Sequence, residues 1–265
     1  MTYIWTYHES VRAAFFDLDK TVIAKSSLVA LGPELHARGL LHRRTLIRAG
    51  VGQLWFQRFG ADEKRLNRVR KRVLKITKGW DQDEVRLLVK ETINEVIEPL
   101  IYAEALELID HHLAQGDEVY LVSSAPAEIV EPFAELLGMT GAISSRATID
   151  EDGKFTGAMD FFAQGENKAV AIRALAEMRG IDLSESFAYS DSETDVPMLE
   201  AVGHPFAVNA DRQLAKIAHD HQWPQLSFSH PVTALSRSKS HTPFLVSAVI
   251  VGVAALLGGA RLQRR

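Results

Sequence analysis

Residues 11–21 read VRAAFFDLDKT, an apolar run that stops abruptly at Asp17 and continues as Asp17-Leu18-Asp19-Lys20-Thr21. A short apolar run of this kind, rich in aromatics, reads as a buried strand with carboxylates at its C-terminal end. Two aspartates two residues apart at such an end can approach one phosphate and one hard cation together. One carboxylate can attack phosphorus while the other holds a proton for the leaving oxygen. Asp-x-Asp also occurs in turns and calcium loops, so the rest of the chain has to decide.

Outward from this stretch, residues 26–98 read as almost wholly helical. Apolar positions recur at three- and four-residue spacing, and glycines at 32, 39, 50, 52, 60 and 79 punctuate them. From Ala103 the elements alternate. Helix Ala103–Gln115 leads to strand Glu118–Val122 and a helix opening near Pro126. Ala142–Ile149 and Lys154–Asp160, joined by Asp150-Glu151-Asp152-Gly153, read as a hairpin. Helix Glu166–Arg179, strand Ser186–Ser190, helix Thr194–Val202 and strand Pro205–Val208 follow. This alternation predicts an α/β fold, a doubly wound parallel sheet (residues 1–23 and 99–235) with an inserted α-helical cap (24–98). Ligands of such sheets bind beyond the C-terminal strand ends, where strand order reverses.

Three further groups fall in that zone. Ser123-Ser124 end the run VYLV beside a helix start, where unpaired backbone N–H groups favour phosphate, although a plain helix cap has the same pattern. Lys168 lies near the start of its helix, a position that by itself suggests a solvated lysine. Asp191-Ser192-Glu193-Thr194-Asp195 follow the strand SFAYS, giving oxygen ligands of the kind Mg²⁺ prefers. The helix dipole accounts for one acid at such a start but not for the set.

The 265 residues are 46% hydrophobic and 24% charged, with a formal net charge of −4, which does not suggest a general nucleic-acid binder. Cysteine is absent, which excludes disulfides, thiolate metal sites and thiol catalysis. Residues 1–10 show no basic segment followed by an apolar stretch, so no signal peptide is expected. Residues 244–260, FLVSAVIVGVAALLGGA, carry no charge and follow the polar linker 236–243. At about 1.5 Å per residue they reach the low edge of a bilayer core, which predicts a C-terminal transmembrane helix. Ala248 with Gly252, and Ala254 with Gly258, have the small-xxx-small spacing of close helix contacts in lipid. A single-pass anchor with the catalytic part in the cytoplasm is the expected placement. The stretch 64–78 holds eight lysines and arginines and no acid, preceded by Arg38, Arg43, Arg44, Arg48 and Arg58. It reads as a solvated face or as a patch for anionic lipid; without interleaved aromatics it does not suggest RNA.

Taken in order, Asp17-x-Asp19-x-Thr21, Ser123, Lys168 and Asp191-x-x-x-Asp195 resemble the haloacid dehalogenase-like hydrolase superfamily, specifically its phosphoserine-phosphatase-like branch. The resemblance spans roughly residues 11–230, and the helical insertion sits where that branch places its cap. It implies that Asp17 attacks phosphorus to form an aspartyl-phosphate, and that Asp19 protonates the leaving group and then activates water. It implies Mg²⁺ held by the Asp17 carboxylate, the Asp19 main-chain carbonyl and Asp191. Thr21, Ser123 and Lys168 would hold phosphoryl oxygens, with Asp195 in support, on a small phosphorylated substrate. Asp17 is expected to be ionised at neutral pH, given an ordinary carboxyl pKa of about 3.9. Phosphoserine phosphatases carry a glutamate nine residues after the nucleophile, where this chain has Ser26. A serine cannot pair with the substrate's ammonium group, so another phosphomonoester is expected. Two other outcomes fit the same residues: transfer of the phosphoryl group to another acceptor, and non-catalytic binding of a phosphorylated ligand at a membrane.

Overall fold

Ala13–Asp17 form the central strand β1, and all five residues are buried. The protein is described here by a computed structural model, which covers residues 11–40 and 63–231. Around β1 lie β2 (Glu118–Pro126), β3 (Gly141–Ile149), β4 (Phe155–Phe161), β5 (Phe187–Ser190), β6 (His204–Val208) and β7 (Gln225–Leu226). The sheet order is β4-β3-β2-β1-β5-β6-β7. Every neighbouring pair is parallel except β3 with β4, which is antiparallel, so the expected hairpin forms one edge of an otherwise parallel sheet. The chain winds outward from β1 through β2 and β3, then crosses back to β5 on the other side. Strand order thus reverses at β1, and the ends of β1, β2 and β5 meet at the reversal.

Aromatic pairs fix the register. Phe16 lies opposite Tyr189, and Tyr189 opposite Phe206. Their rings stack at 4.4 Å and 5.0 Å between centroids. On the other face Phe15 lies opposite Tyr120, with centroids 5.7 Å apart. Such pairs contribute roughly 0.5–1.5 kcal/mol each beyond their burial. A slip of one residue would turn every one of them to the wrong face.

The helices that matter for the site are α1 (Ser27–Ala30), α2 (Gly32–Ala37), α3 (Glu63–Thr77), α4 (Gln82–Val96), α5 (Ala103–Ala114), α6 (Ala127–Leu136), α7 (Glu166–Arg179), α8 (Val196–Glu200) and α9 (Arg212–Asp220). Asp81 caps α4 by accepting from the backbone N–H groups of Asp83 and Glu84, both at 3.0 Å. Helix α4 runs beside α6, joined by a hydrogen bond from Gln82 Nε2 to Glu128 Oε1 (2.7 Å) and by the ion pairs Arg86–Glu131 and Lys90–Glu135. Helix α3 and the segment after it meet the hairpin: the N–H of Gly79 donates to the carbonyl of Phe155 at 2.8 Å, and the Arg70 guanidinium of α3 lies 5.0 Å from the ring centroid of Phe162, just past β4.

Two local readings differ from the sequence expectation. Strand β2 runs past Val122 to Pro126, with a register shift between Ser123 and Pro126. The expected helix Thr194–Val202 divides into a 3₁₀ turn, Glu193–Asp195, and the short α8, since Asp195 leaves the helical region (φ −98°, ψ 6°) and Pro197 starts a new helix. Gly203 is required where β6 begins, because a Cβ there would lie 1.7 Å from the carbonyl oxygen of Ser184.

The described residues all fall within one compact unit. Among the described residues no helix is long and apolar enough to cross a membrane. The linker 236–243, the apolar run 244–260, and Arg43, Arg44, Arg48 and Arg58 of the basic segment lie outside the described residues.

Beneath the sheet sits a buried polar chain. Arg12 donates to Asp117 Oδ1 (2.8 Å from Nε), His112 Nδ1 meets Asp117 Oδ2 at 2.8 Å, and His112 Nε2 meets the Tyr189 hydroxyl at 2.8 Å. Ionised Asp117 can only accept, so Nδ1 carries the proton and neutral His112 accepts from Tyr189. Burial lowers the pKa of His112 from its ordinary 6.5, against the pull of Asp117. The unfolded chain therefore takes up this proton first as pH falls. Stability is full above about pH 6.5 and is lost below it, toward the lower folded pKa. His112→Gln should destabilise the protein by about 1–3 kcal/mol at pH 7.5 through a lost buried hydrogen bond. Thermal unfolding between pH 7.5 and 5 should show a smaller acid-side drop in the variant than in the wild type. Parallel drops would assign the acid sensitivity elsewhere.

Candidate active site

Asp17 is the last residue of β1 and lies opposite Val122, so Ser123 follows one position later on the adjacent strand. Ser190 ends β5 on the other side, which puts Asp191 next in line. The third contribution comes from α7. Gly165 starts it with φ +56° and ψ −129°, a conformation essentially confined to glycine. The helix then buries Lys168, Ala169, Ile172 and Ala176, so Lys168 lies on the face packed against the core.

These elements bring three expected residues into direct contact. Lys168 Nζ donates to Asp17 Oδ1 and to Asp195 Oδ2, both at 2.7 Å. Asp195 Oδ2 also accepts from Ser190 Oγ at 2.7 Å, while its buried Oδ1 has no hydrogen-bond partner among the described residues. Lys168 and Asp195 are each 2% exposed, Asp17 7% and Asp191 6%. The bland alternative of a solvated lysine is thereby excluded. Burial alone would lower the Lys168 pKa, but Asp17 and Asp195 hold it well above the ordinary lysine value.

Asp17 does not have the ordinary carboxyl environment that the sequence suggested. Burial raises its pKa well above 3.8; Lys168 opposes this, while Asp195 and Asp191 add to it. Asp191 is likewise raised, to about 6, chiefly by burial, with Lys20 opposing and Asp195 reinforcing. Asp17 and Asp195 thus share one buried ammonium, while Asp191 meets the part-exposed Lys20 at 3.4 Å, which leaves three buried carboxylates to two cations among the described residues. This charge excess and the all-oxygen donor set at the ends of two adjacent strands fit a divalent cation. Among the described residues no cluster of three or more His, Cys, Asp or Glu side chains is arranged to hold a metal ion. Two carboxylates, with other positions left to water and substrate, suit Mg²⁺, which dehydrates reluctantly.

Asp19 points toward the first helix after the motif: its Oδ1 accepts from the backbone N–H of Ser27 at 2.8 Å. Burial raises its pKa above 3.8, and the Ser27 N–H partly offsets this. Ser123 Oγ accepts from the N–H of Ala125 at 3.2 Å. It is not the helix cap, since Pro126 takes that position and no side chain caps α6. Ser145 Oγ donates to the Ser124 carbonyl at 2.7 Å and accepts from the Ala163 N–H at 3.1 Å, tying the segment after Ser123 to β3. Thr21 is fully buried, and its hydroxyl has no hydrogen-bond partner among the described residues.

Sequence reasoning missed three participants. Ser190 carried a weak signal, a hydroxyl ending an apolar strand just before Asp191. The Ser27 N–H is backbone and carries none. Lys20 stood inside the first motif, yet only the fold places its Nζ 3.4 Å from Asp191 Oδ2. Its φ is +67°, a left-handed conformation that costs a non-glycine residue roughly 1–2 kcal/mol.

A family model for haloacid dehalogenase-like hydrolases matches residues 14–200. The chain belongs to this family. Its relatives in the haloacid dehalogenase-like family include a probable phosphatase of Mycobacterium tuberculosis, 45% identical over 249 residues, which are 94% of this chain and 86% of that protein. A phosphoserine phosphatase of the same organism is 36% identical over 213 residues, covering 80% of this chain and 69% of the relative. Among solved structures, a Bordetella pertussis protein of unknown function superposes with a TM-score of 0.70 at 26% identity, over 82% of this chain and 98% of that one. The strand ends that gather Asp17, Ser123 and Asp191 all fall inside the matched span.

Proposed function

We propose that the chain is a Mg²⁺-dependent phosphomonoester hydrolase that forms an aspartyl-phosphate on Asp17, and that its substrate is a small phosphorylated metabolite other than phosphoserine. The observation that carries this reading is the buried contact of Lys168 with both Asp17 and Asp195 at the point where strand order reverses. A buried lysine held at 2.7 Å from the nucleophile is where a cation is needed for a transferring phosphoryl group.

In this mechanism an Asp17 carboxylate oxygen attacks phosphorus as the bond to the leaving alkoxide breaks. Asp19, whose pKa is raised by burial, delivers a proton to that alkoxide. Water then attacks the phosphoenzyme, giving its proton to Asp19, and inorganic phosphate leaves with Asp17 regenerated. Lys168 and Ser123 hold the phosphoryl oxygens, and Asp195, braced by Ser190, aims Lys168. Bound Mg²⁺, held by the Asp17 carboxylate, the Asp19 main-chain carbonyl and Asp191, would neutralise the charge gathered at these oxygens. The helices of residues 24–98 act as a cap that excludes water during attack and selects the substrate.

Ser26 argues against phosphoserine. It precedes α1 in an extended conformation (φ −68°, ψ 129°), within one residue of the Ser27 N–H that meets Asp19. A neutral group there offers a substrate ammonium no counter-charge. Phosphate release from a panel of phosphomonoesters that includes phosphoserine, with and without Mg²⁺, tests the reading. Mg²⁺-dependent turnover of other esters at a kcat/KM above that of phosphoserine is expected. No turnover by folded protein would defeat it, and preferential transfer to added alcohols would convert it to a phosphotransferase.

The anchor belongs to the same proposal. Its support is the uncharged run of residues 244–260 and the eight basic residues of 64–78; in this proposal those basic residues face anionic lipid and the catalytic part lies in the cytoplasm. The full chain should sediment with membranes, and protein lacking residues 236–265 should be released from them. Retention of the shortened protein would refute the anchor.

A further inference from the structure

Among the described residues two cations reach the carboxylates of this site, and they are held very differently. Lys168 is 3% exposed at its side chain and has two carboxylate oxygens at 2.7 Å. The Lys20 side chain is 33% exposed and has one carboxylate oxygen at 3.4 Å, Asp191 Oδ2. The backbone that presents Lys20 is locked. Its N–H donates to the Ile23 carbonyl at 2.7 Å, and the N–H groups of Val22 and Ile23 donate to the Leu18 carbonyl at 3.0 Å and 3.1 Å. This tight loop sets Lys20 at φ +67°, which glycine would adopt without strain. A lysine kept there against strain, with its ammonium aimed at Asp191, is a charged device and not a turn residue.

We propose that Lys20 is an exchangeable internal counter-cation: it occupies Asp191 in the metal-free protein, is displaced when Mg²⁺ binds, and so weakens metal binding. The proposal rests on the assignment of Asp191 as a metal ligand made above. An ammonium and a divalent cation drawn to the same carboxylate repel one another, and the repulsion is strong in a largely buried site. Lys168 cannot yield, because leaving would strand two buried carboxylates. Lys20 can, because a third of its side chain is already in solvent and an ion pair at that exposure is weak. The site therefore has one fixed cation for the phosphoryl group and one that trades places with the metal.

The test is calorimetric titration of Mg²⁺ alone into the full chain at pH 8, comparing wild type with Lys20→Met, Lys20→Arg and Lys20→Gly. Lys20→Met should bind Mg²⁺ tighter by on the order of tenfold, a change worth about 1.4 kcal/mol. Lys20→Arg, which keeps the charge, should stay within about twofold of wild type. Lys20→Gly should show the same tightening together with a higher Tm, since the positive φ is no longer strained. Unchanged or weaker Mg²⁺ binding by folded Lys20→Met would overturn the role of Lys20 while leaving the metal assignment standing. Absence of Mg²⁺ binding by wild type and every variant would overturn both.

Discussion

Replacing Asp17 by asparagine is expected to reduce phosphate release by at least about 1,000-fold without unfolding the protein. The nucleophile supplies the covalent intermediate itself, so its loss removes the reaction path and not merely a contact that strengthens in the transition state. The structural consequence runs the other way. Burial, with Asp195 and Asp191 nearby, raises the Asp17 pKa despite Lys168, so its negative charge is held at a cost. A neutral amide of nearly the same shape removes that cost, and Tm should be equal to or above that of wild type. Phosphate release and thermal unfolding on the same sample check both halves. Residual turnover within about tenfold of wild type would move the nucleophile elsewhere; a large fall in Tm would mean that the Lys168 pair stabilises more than burial costs.

The largest loss of stability is expected from Lys168→Met. Methionine fills the volume but leaves Asp17 and Asp195, both buried and both 2.7 Å from the missing ammonium, without a counter-charge. Breaking a buried pair from one side costs about 3–5 kcal/mol, which for a unit of this size is a fall in Tm of roughly 6–20 °C. The pH dependence identifies the cause. The wild-type Lys168 pKa is raised, so its contribution is fully present below the unfolded lysine pKa and is lost only as pH rises through the folded value. In the variant Asp17, whose pKa burial already raises, loses the ammonium that opposes that rise, so its protonation relieves part of the defect and the gap to wild type narrows as pH falls. Adding Asp17→Asn to Lys168→Met should restore part of the loss, because one of the stranded charges is then gone. A deficit independent of pH and of Asp17 would assign the effect to packing of α7.

The chemistry-bearing positions were legible because each is a local break of pattern. Asp17 breaks an apolar run, Ser123 follows VYLV, and Asp191 follows FAYS; such breaks at strand ends are visible without any tertiary information. Helix α7 reads directly as Glu166–Arg179 and is found there, since Gly165 and Gly180 bound it and both have positive φ. Ser123 was open between cap and phosphate ligand, and the run of β2 through Pro126 removes the first of these. The 3₁₀ turn at Glu193–Asp195 was hidden because its sequence reads as an ordinary acidic helix start.

By itself, then, the sequence determined the strand–helix alternation, the bounds of α7 and the places where carboxylates and hydroxyls end strands. These depend on hydrophobic period and turn residues within a few positions of one another. Only the tertiary structure decided how those ends meet. It put β5 beside β1, brought Lys168 within 2.7 Å of Asp17 across 151 residues of chain, and set Lys20 against Asp191 across 171. It also raised the carboxyl pKa values, closed the chain Arg12–Asp117–His112–Tyr189, and paired Asp19 with a backbone N–H. The physical reason is that strand order, burial and charge compensation are properties of packing, fixed by which surfaces exclude water together, and no local window of sequence contains them.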